Sequence, residues 1–598
     1  MDKIAILDYG SQYTHLIATR IRRLGVYSEI LDPTATKEQL SVYKGIILSG
    51  GPASVYEKDA PSVDPEIFKL GIPILGICYG HQLMTHILGG KVEPGKGVGA
   101  EFGKAEILIK KPVGIFADFL TGMKTQVWMS HGDKVTKLPA GFEILASSDD
   151  DEYSAVGDIS RNFYGIQFHT EVKHSTKGEQ ILLNFLKICN ARRDWDLKNF
   201  IDSEVEKIRT QVGDKKVFLM ISGGVDSTVA FVLLNKALGP NRVYGLFVDT
   251  GFMRENERVE VETSLREIGV DNLHVYDATE EFYTALEGIA EPEKKREIIG
   301  RVFLEVQKKV SSDLKLDPEN WLLAQGTIYP DTIESGGTKN SSKIKTHHNR
   351  VPEIEKLIAE GKIIEPLKDL YKDEVREVGQ KLGLHPRMVW RHPFPGPGLA
   401  VRILCAAESD LPENSAQLDH DINTFLLTKN SHLKAQTLPI KSVGVQGDFR
   451  TYRHPVLLSG PADWSELGAL SPAITNKFDQ INRVLYLITD DITPTFSPAS
   501  LTKQRSASLR MADKIAMDWL REIDEYKNVW QMPVVLIPIN GDAIVLRPIV
   551  SEEAMTANFA QLPMEKVKEL AAKIMASGQI SAVMYDVTNK PPATIEWE

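Results

Sequence analysis

The run Val217-Phe218-Leu219-Met220-Ile221, followed at once by Ser222-Gly223-Gly224-Val225-Asp226-Ser227-Thr228 and then by Val229-Ala230-Phe231-Val232-Leu233-Leu234, leaves few folds open. The β-branched and aromatic run reads as a buried strand, and the apolar run after the turn reads as a helix. Strand, Gly-rich turn and helix N-terminus together make an anion cradle. The glycines let the backbone approach a ligand, free N–H groups point at it, and the helix dipole favours negative charge. Ser222, Ser227 and Thr228 add hydroxyl donors, and Asp226 is placed to orient a metal or to cap the turn. A bare Gly-Gly would read as an ordinary βα turn, but the serines and Asp226 favour a phosphate. No Gly-Lys-Ser or Gly-Lys-Thr occurs in the chain, which excludes a Walker loop.

At 598 residues the chain has room for roughly three or four domains of ~150 residues. Its net charge of −11 argues against a general nucleic-acid binder, which would present a basic face. Cys78, Cys189 and Cys405 lie far apart in sequence, giving neither a disulfide framework nor a zinc knuckle, which suits a reducing cytosol. The sequence starts directly with strand-like Lys3-Ile4-Ala5-Ile6-Leu7, and no apolar run approaches the ~18 residues of a membrane span. The expectation is a soluble cytoplasmic protein with no membrane or nucleic-acid partner.

Over the first 190 residues strand candidates recur, each ending at a turn. Ile4 to Leu7 ends at Asp8-Tyr9-Gly10, Gly45 to Leu48 at Ser49-Gly50-Gly51-Pro52, and Pro73 to Ile77 at Cys78-Tyr79-Gly80-His81-Gln82. Helical patterns lie between them, which argues for a parallel α/β sheet with its chemistry at the carboxyl ends of the strands. Cys78 sits at such an end, between small residues, in the manner of a nucleophile elbow at a helix N-terminus. Phe163 to Glu171 reads as one strand, with His169 and Glu171 two apart and on one side. The His is suited to take the thiol proton and the Glu to hold the imidazole. Gly50 and Gly51 offer N–H groups for a developing oxyanion. A structural role for the cysteine alone is the bland alternative; its partners in the pattern weigh against it.

This region resembles the class I glutamine amidotransferase domain over its whole length. The pieces that carry the resemblance are Ser49-Gly50-Gly51-Pro52, Gly76-Ile77-Cys78-Tyr79-Gly80-His81-Gln82 and His169-Thr170-Glu171. The resemblance implies that Cys78 forms a glutamyl thioester, that His169 is the base, that Glu171 orients it, and that ammonia is released. Trp128-Met129-Ser130-His131-Gly132-Asp133 also looks like a family segment, either a wall of the glutamine pocket or the seat of a structural histidine. The Ser222 loop resembles the pyrophosphate loop of enzymes that split ATP between the α- and β-phosphates.

Further strands read at Arg242 to Gly251, Asn272 to Asp277 and Trp321 to Thr327, giving a second doubly wound parallel sheet. Asp249, Thr250 and Asp331 then either face the nucleotide or are solvated loop groups. Lys343 to Asn349, with its paired His347 and His348, reads as a mobile lid whose lysines meet phosphate; the histidines lack metal spacing. The Pro/Gly-dense Arg391 to Leu399 cannot be helical and marks a boundary. The predicted domains are residues 1–192, 193–395 and 396–598. The last is predicted to be a tandem α+β domain, with repeats at about 440–490 and 530–598 that each run strand, Gly-Asp turn, strand, helix and strand.

The linker Arg391 to Leu399, the segment Ser442 to Asp448 and the tail Lys590 to Glu598 are similar to the glutamine-hydrolysing GMP synthetase family, so the resemblance covers essentially the whole chain. It implies adenylation of XMP by ATP, with Mg2+ on the pyrophosphate, and displacement of AMP by ammonia to give GMP. It assigns Ser222, Gly223, Gly224, Val225, Asp226, Ser227 and Thr228 to ATP, and Arg296, Asp448, Gln531, Lys590 and Glu596 to XMP. No resident metal site is expected. The chain departs from the family after His348-Asn349, where Arg350-Val351-Pro352 replaces a Gly-Gly-Leu-Pro continuation. Common members carry one C-terminal unit and pair it across a homodimer; two units in one chain imply a monomer, with a homodimer as the alternative. Rival readings are an amidotransferase-linked NAD synthetase and an inactive nucleotide sensor.

Overall fold

The computed structural model describes the chain except residues 1, 12, 95–100, 318, 337–361, 447–448 and 552–556. The lid expected at Lys343 to Asn349 and the candidate Asp448 lie outside the described residues. The fold divides into two compact units. One holds the chain up to Glu204 with the segments beginning at Ile328 and at Lys368; the other holds the remainder, from Val205 to Glu598.

A nine-stranded sheet forms the first unit. Its order is Tyr27–Leu31, Lys3–Leu7, Gly45–Leu48, Ile74–Ile77, Phe163–Ile166, Ala155–Asp158, Glu143–Ser147, Glu101–Ile109, Lys124–His131. The first five are mutually parallel, and the last four extend them with antiparallel pairings. Ile4 and Ile6 enter one apolar core while Ala5 and Leu7 enter the other, so the parallel strands are buried on both faces. That double burial is why they read as unbroken apolar runs. Phe163–Ile166 is shorter than the strand expected up to Glu171; beyond Ile166 the backbone bends, and His169 makes only an isolated bridge to Trp128.

The second unit contains two large sheets, besides the short pairing of Ile549–Val550 with Asn558–Phe559. The first is wholly parallel, in the order Leu273–Asp277, Val243–Asp249, Lys216–Ile221, Trp321–Ala324, Ile363–Ile364. Lys216–Ile221 is first in the chain and central in the sheet, so the connections diverge at its carboxyl end and leave a crevice there. The second sheet runs Lys434–Thr437, Phe449–Ser459, Ile481–Leu487, Val583–Asp586, Ala543–Leu546, Val534–Ile537, with Ser442–Gln446 paired on Phe449–Ser459. Its two halves repeat one order of elements: a helix (Ser415–Thr428 or Lys503–Glu522), two antiparallel strands, a helix (Trp464–Lys477 or Met564–Met575) and a closing strand. The first half thus begins ahead of residue 440. The halves meet where Ile481–Leu487 pairs antiparallel with Val583–Asp586. The bonds there come in symmetry-related pairs: Ile488 N to Val583 O and Val587 N to Val484 O, each 3.0 Å. One apolar core joins Phe218 and Leu246 of the parallel sheet to Ile544 and Val583 of the C-terminal one, so the boundary drawn at residue 395 falls inside a single compact unit.

Candidate active site

In the first unit the strand Ile74–Ile77 delivers Cys78 to the start of helix Tyr79–Ile87 with φ 51° and ψ −107°. A non-glycine residue in this left-handed region is strained, and the surroundings hold it there. Cys78 N donates to Ile166 O at 2.8 Å. A Cβ on Gly80 would come 2.2 Å from Leu48 O, and one on Gly76 would come 2.5 Å from Gly80 O. Both glycines are therefore needed for the turn to close against the neighbouring strand.

His169 is buried, and its Nδ1 lies 2.7 Å from Glu171 Oε1, which is fully buried. Burial alone would depress the imidazolium. The Glu171 carboxylate and hydrogen bonding to Cys78 and Glu171 outweigh it, and the His169 pKa is raised to about 10. Tyr13 packs edge-on against the imidazole, with ring centroids 5.0 Å apart. Arg20 Nε donates to Glu171 O at 3.0 Å. The space beside His169 is kept open by Gly50, where a Cβ would stand 3.1 Å from Cε1. The three residues read from the sequence as a thiol, a base and an orienting carboxylate are thus brought together.

Ser130, at the end of Lys124–His131, presents its carbonyl 3.6 Å from Cys78 Sγ. His131 itself is turned away from the sulfur: Nδ1 meets Asp133 O at 2.9 Å and Nε2 meets Glu101 at 3.4 Å. His81 is a structural histidine. Burial pushes its pKa down to about 3, and a Cβ on Gly165 would come 2.1 Å from its Nδ1. Two buried amides escaped the sequence reading. Gln167 Nε2 lies 3.6 Å from Cys78 Sγ, and Gln82 Nε2 lies 3.2 Å from Gln167 Oε1. Both stand inside the motifs already quoted; the available signal was a polar residue between Ile166 and Phe168, where a buried strand would carry an apolar one.

In the second unit, Ser222 to Thr228 fills the crevice at the end of Lys216–Ile221. Gly223 has φ +77°, and Gly224 caps helix Val225–Leu238. Gly224 N donates to Ser222 Oγ at 3.3 Å, and Ser227 and Thr228 return their hydroxyls to Gly224 O at 3.1 and 2.9 Å. Val225 and Asp226 form the first helical turn. A Cβ on Gly326 would come 2.8 Å from Ser227 N, so the next strand's exit lies flush against the loop. Asp249 and Thr250 are engaged locally, accepting from Gly251 N at 3.0 Å and Phe252 N at 3.2 Å.

Of the remaining candidates, Gln531 and Glu596 meet directly, Nε2 to Oε1 at 2.9 Å. Glu596 is also gripped by Arg402, Nε to Oε2 at 2.9 Å and Nη2 to Oε1 at 2.7 Å. Burial would raise its carboxyl pKa, but Arg402 and Gln531 hold it below the usual range. Arg296, on helix Pro292–Asp313, donates to Glu293 at 2.7 Å and to the main-chain oxygen of Glu598. Lys590 pairs with Ala557 through the backbone, N to O at 2.8 Å. The tail is docked on the hairpin of the other half: Val443 N to Trp597 O at 3.0 Å and Val445 N to Pro592 O at 2.7 Å. Arg402 was missed because it lies just past the Pro/Gly connector; a basic residue in the apolar context Leu399-Ala400-Val401 was the signal that it needs a buried acid.

Fold and site together define a glutamine amidotransferase joined to a nucleotide domain of the ATP-pyrophosphatase type. The family model "Glutamine amidotransferase class-I" matches residues 5–189, "NAD synthase" residues 195–299 and "GMP synthase C terminal domain" residues 518–597. A probable GMP synthase [glutamine-hydrolyzing] of Leptospira interrogans is 47% identical over 610 aligned residues, covering 100% of this chain and 99% of its own length. The GMP synthase [glutamine-hydrolyzing] of Enterococcus faecalis is 40% identical, covering 100% and 98%. That of Limosilactobacillus reuteri is 45% identical over 509 residues, covering 82% of this chain and 96% of its own. The chain belongs to the glutamine-hydrolysing GMP synthase family.

Proposed function

We propose that the chain makes GMP from XMP, ATP and glutamine, and that the residues described above divide the work between two sites. The reading is carried by one observation: a Cys–His–Glu set and a pyrophosphate-type loop occur in one polypeptide that is 40% identical to the GMP synthase [glutamine-hydrolyzing] of Enterococcus faecalis along its whole length. Cys78 attacks the glutamine carboxamide carbon, and His169 delivers a proton to the departing ammonia, leaving a thioester. Water, deprotonated by His169, then releases glutamate. Glu171 keeps the imidazole oriented and favours its charged form.

At the second site the C2 oxygen of XMP attacks the α-phosphorus of ATP, and pyrophosphate leaves. A carbonyl oxygen is a poor leaving group; as an adenylate it departs with AMP when ammonia attacks C2. Residues 222–228 hold the pyrophosphate by backbone N–H groups and hydroxyls. Mg2+ enters with ATP; Asp226 in the first helical turn is the hard oxygen donor of the loop, suited to such an ion. Gln531 and Glu596 supply an amide and a carboxylate for the base or ribose, Arg296 and Lys590 cationic groups for the phosphate, and Asp448 a further carboxylate.

The paired halves of the C-terminal sheet support a monomer, since one chain provides both partners of a two-fold pairing. A cytoplasmic setting suits three free cysteines. Among the described residues no helix is long and apolar enough to cross a membrane. The test is AMP release from ATP in the presence of XMP and glutamine: XMP-dependent AMP is expected, and its absence overturns the assignment.

A further inference from the structure

Behind Cys78 lies a chain of buried amides whose direction is fixed at one end. Asp133 O, a backbone carbonyl, only accepts, so the group that meets it at 2.9 Å must be the Gln82 amide nitrogen. That NH2 has a second hydrogen, and it points at Gln167 Oε1, 3.2 Å away. With its oxygen engaged, Gln167 turns its own NH2 to Cys78 Sγ at 3.6 Å. Reversing Gln82 would set its oxygen against Asp133 O, two acceptors, and reversing Gln167 would set its NH2 against that of Gln82, two donors, in a buried space. Gln167 is fully buried, its backbone is tied by N to Ser154 O at 2.9 Å, and Gln82 is 3% exposed.

We propose that Gln167 is a catalytic residue of the glutaminase, donating a hydrogen bond to the Cys78 thiolate, and that Gln82 is the positioning residue that aims it. The inference rests on Cys78 being the nucleophile. Besides His169, the sulfur is approached by the Ser130 carbonyl, which offers no proton and disfavours a thiolate. A donor on this side supports the charge both before attack and when the thioester collapses, the two points at which sulfur is anionic. The titratable groups around the sulfur are few. His169, backed by Glu171, bonds to it; His81 lies on its own helix and stays neutral; His131 and Glu101 pair with each other, with Asp151 close by. The Gln82–Gln167 chain adds a donor without adding charge, so it leaves the His169–Glu171 pair undisturbed.

The experiment is the pH profile of Cys78 alkylation by iodoacetamide in the full chain, with Cys78→Ala subtracting the other two thiols. Gln167→Met, which keeps volume and removes the donor, is expected to move the profile up by about one unit, a tenfold slower alkylation below the midpoint. Gln82→Met is expected to move it in the same direction. Melting temperature is expected to fall by no more than a few degrees, the cost of the unpaired Gln82 hydrogen, and GMP synthesis from free ammonia, which does not use this site, is expected to persist. An unchanged profile in a Gln167→Met chain that folds and uses ammonia normally overturns the proposal. Should Gln167→Met fail to fold, Gln167→Asn withdraws the donor by one methylene and is read in the same way. A Cys78→Ala chain that still hydrolyses glutamine would instead overturn the nucleophile reading on which the proposal stands.

Discussion

Tyr486 and Tyr585 stand directly opposite each other where the two halves of the C-terminal sheet pair, and each donates its hydroxyl to a carbonyl of its own half, Gly460 O at 3.0 Å and Ala560 O at 2.6 Å. The relation extends outward: Val484 N bonds Thr588 Oγ1 at 2.8 Å, and Val583 N bonds Thr489 Oγ1 at 3.3 Å. A local two-fold axis passes between the tyrosines. A C2 dimer interface uses the same patch twice, and here both copies of the patch are in one chain. Light scattering is therefore expected to give a particle of 66.7 kDa at micromolar concentration. A tight species of twice that mass would count against the monomer.

Asp586 sits one residue past Tyr585 and is fully buried with two guanidinium groups, Arg483 Nη1 and Arg547 Nη1, each 2.8 Å from its Oδ2. The same arginines carry the tail: Arg483 Nη2 donates to Glu596 O at 2.9 Å and Arg547 Nε to Ile595 O at 3.1 Å. Removing the carboxylate leaves two buried cations uncompensated, which costs about 3–5 kcal/mol. Asp586→Asn is expected to lower the denaturation midpoint accordingly and to raise KM for XMP, while glutamine hydrolysis at Cys78 is retained. A variant that melts like the wild type would show that the tail is held by other means.

The parallel cores were legible in the sequence because double burial writes unbroken apolar runs, as in Gly45–Leu48 and Ile74–Ile77. The turns were legible because glycine is required where backbones touch, as at Gly80 against Leu48 O. His169 and Glu171 were paired for the wrong geometric reason: the strand stops at Ile166, and a bend rather than strand alternation brings them together. Gln167 and Arg402 were not legible as site residues, because each depends on a partner far away in sequence, Gln82 and Glu596, that only the fold supplies. The antiparallel extension through Glu101–Ile109 and Lys124–His131 carries alternating burial, and its place in the sheet is set by long-range pairing.

Gly326 offers a probe of the nucleotide loop that leaves the glutaminase untouched. A Cβ there would stand 2.8 Å from Ser227 N, closer than a methyl group and a backbone nitrogen can approach. Gly326→Ala is expected to displace the helix N-terminus and raise KM for ATP at least several-fold, with XMP-independent glutamine hydrolysis unchanged. Equal KM values for ATP in variant and wild type would remove residues 222–228 from the ATP site.

The last prediction concerns the charge on His169. Its folded pKa, about 10, lies above the ordinary value near 6.5 because Glu171 outweighs burial. Such a group contributes stability that is complete below pH 6.5 and is lost as pH rises through the window to about 10. Glu171→Gln removes the attraction and leaves burial, which favours the neutral ring, so the variant's contribution changes sign: it is present above pH 6.5 and is lost on acidification. Urea titrations from pH 6 to 10 are expected to show wild-type stability falling with pH and the variant's slope reduced or reversed. Glutamine-dependent GMP formation is expected to drop roughly 100- to 10,000-fold, because an unheld neutral imidazole is a poor donor to departing ammonia. Synthesis from free ammonia is expected to persist, since it needs only the second site. Loss of both activities together would mean that Glu171 holds the fold rather than the imidazole.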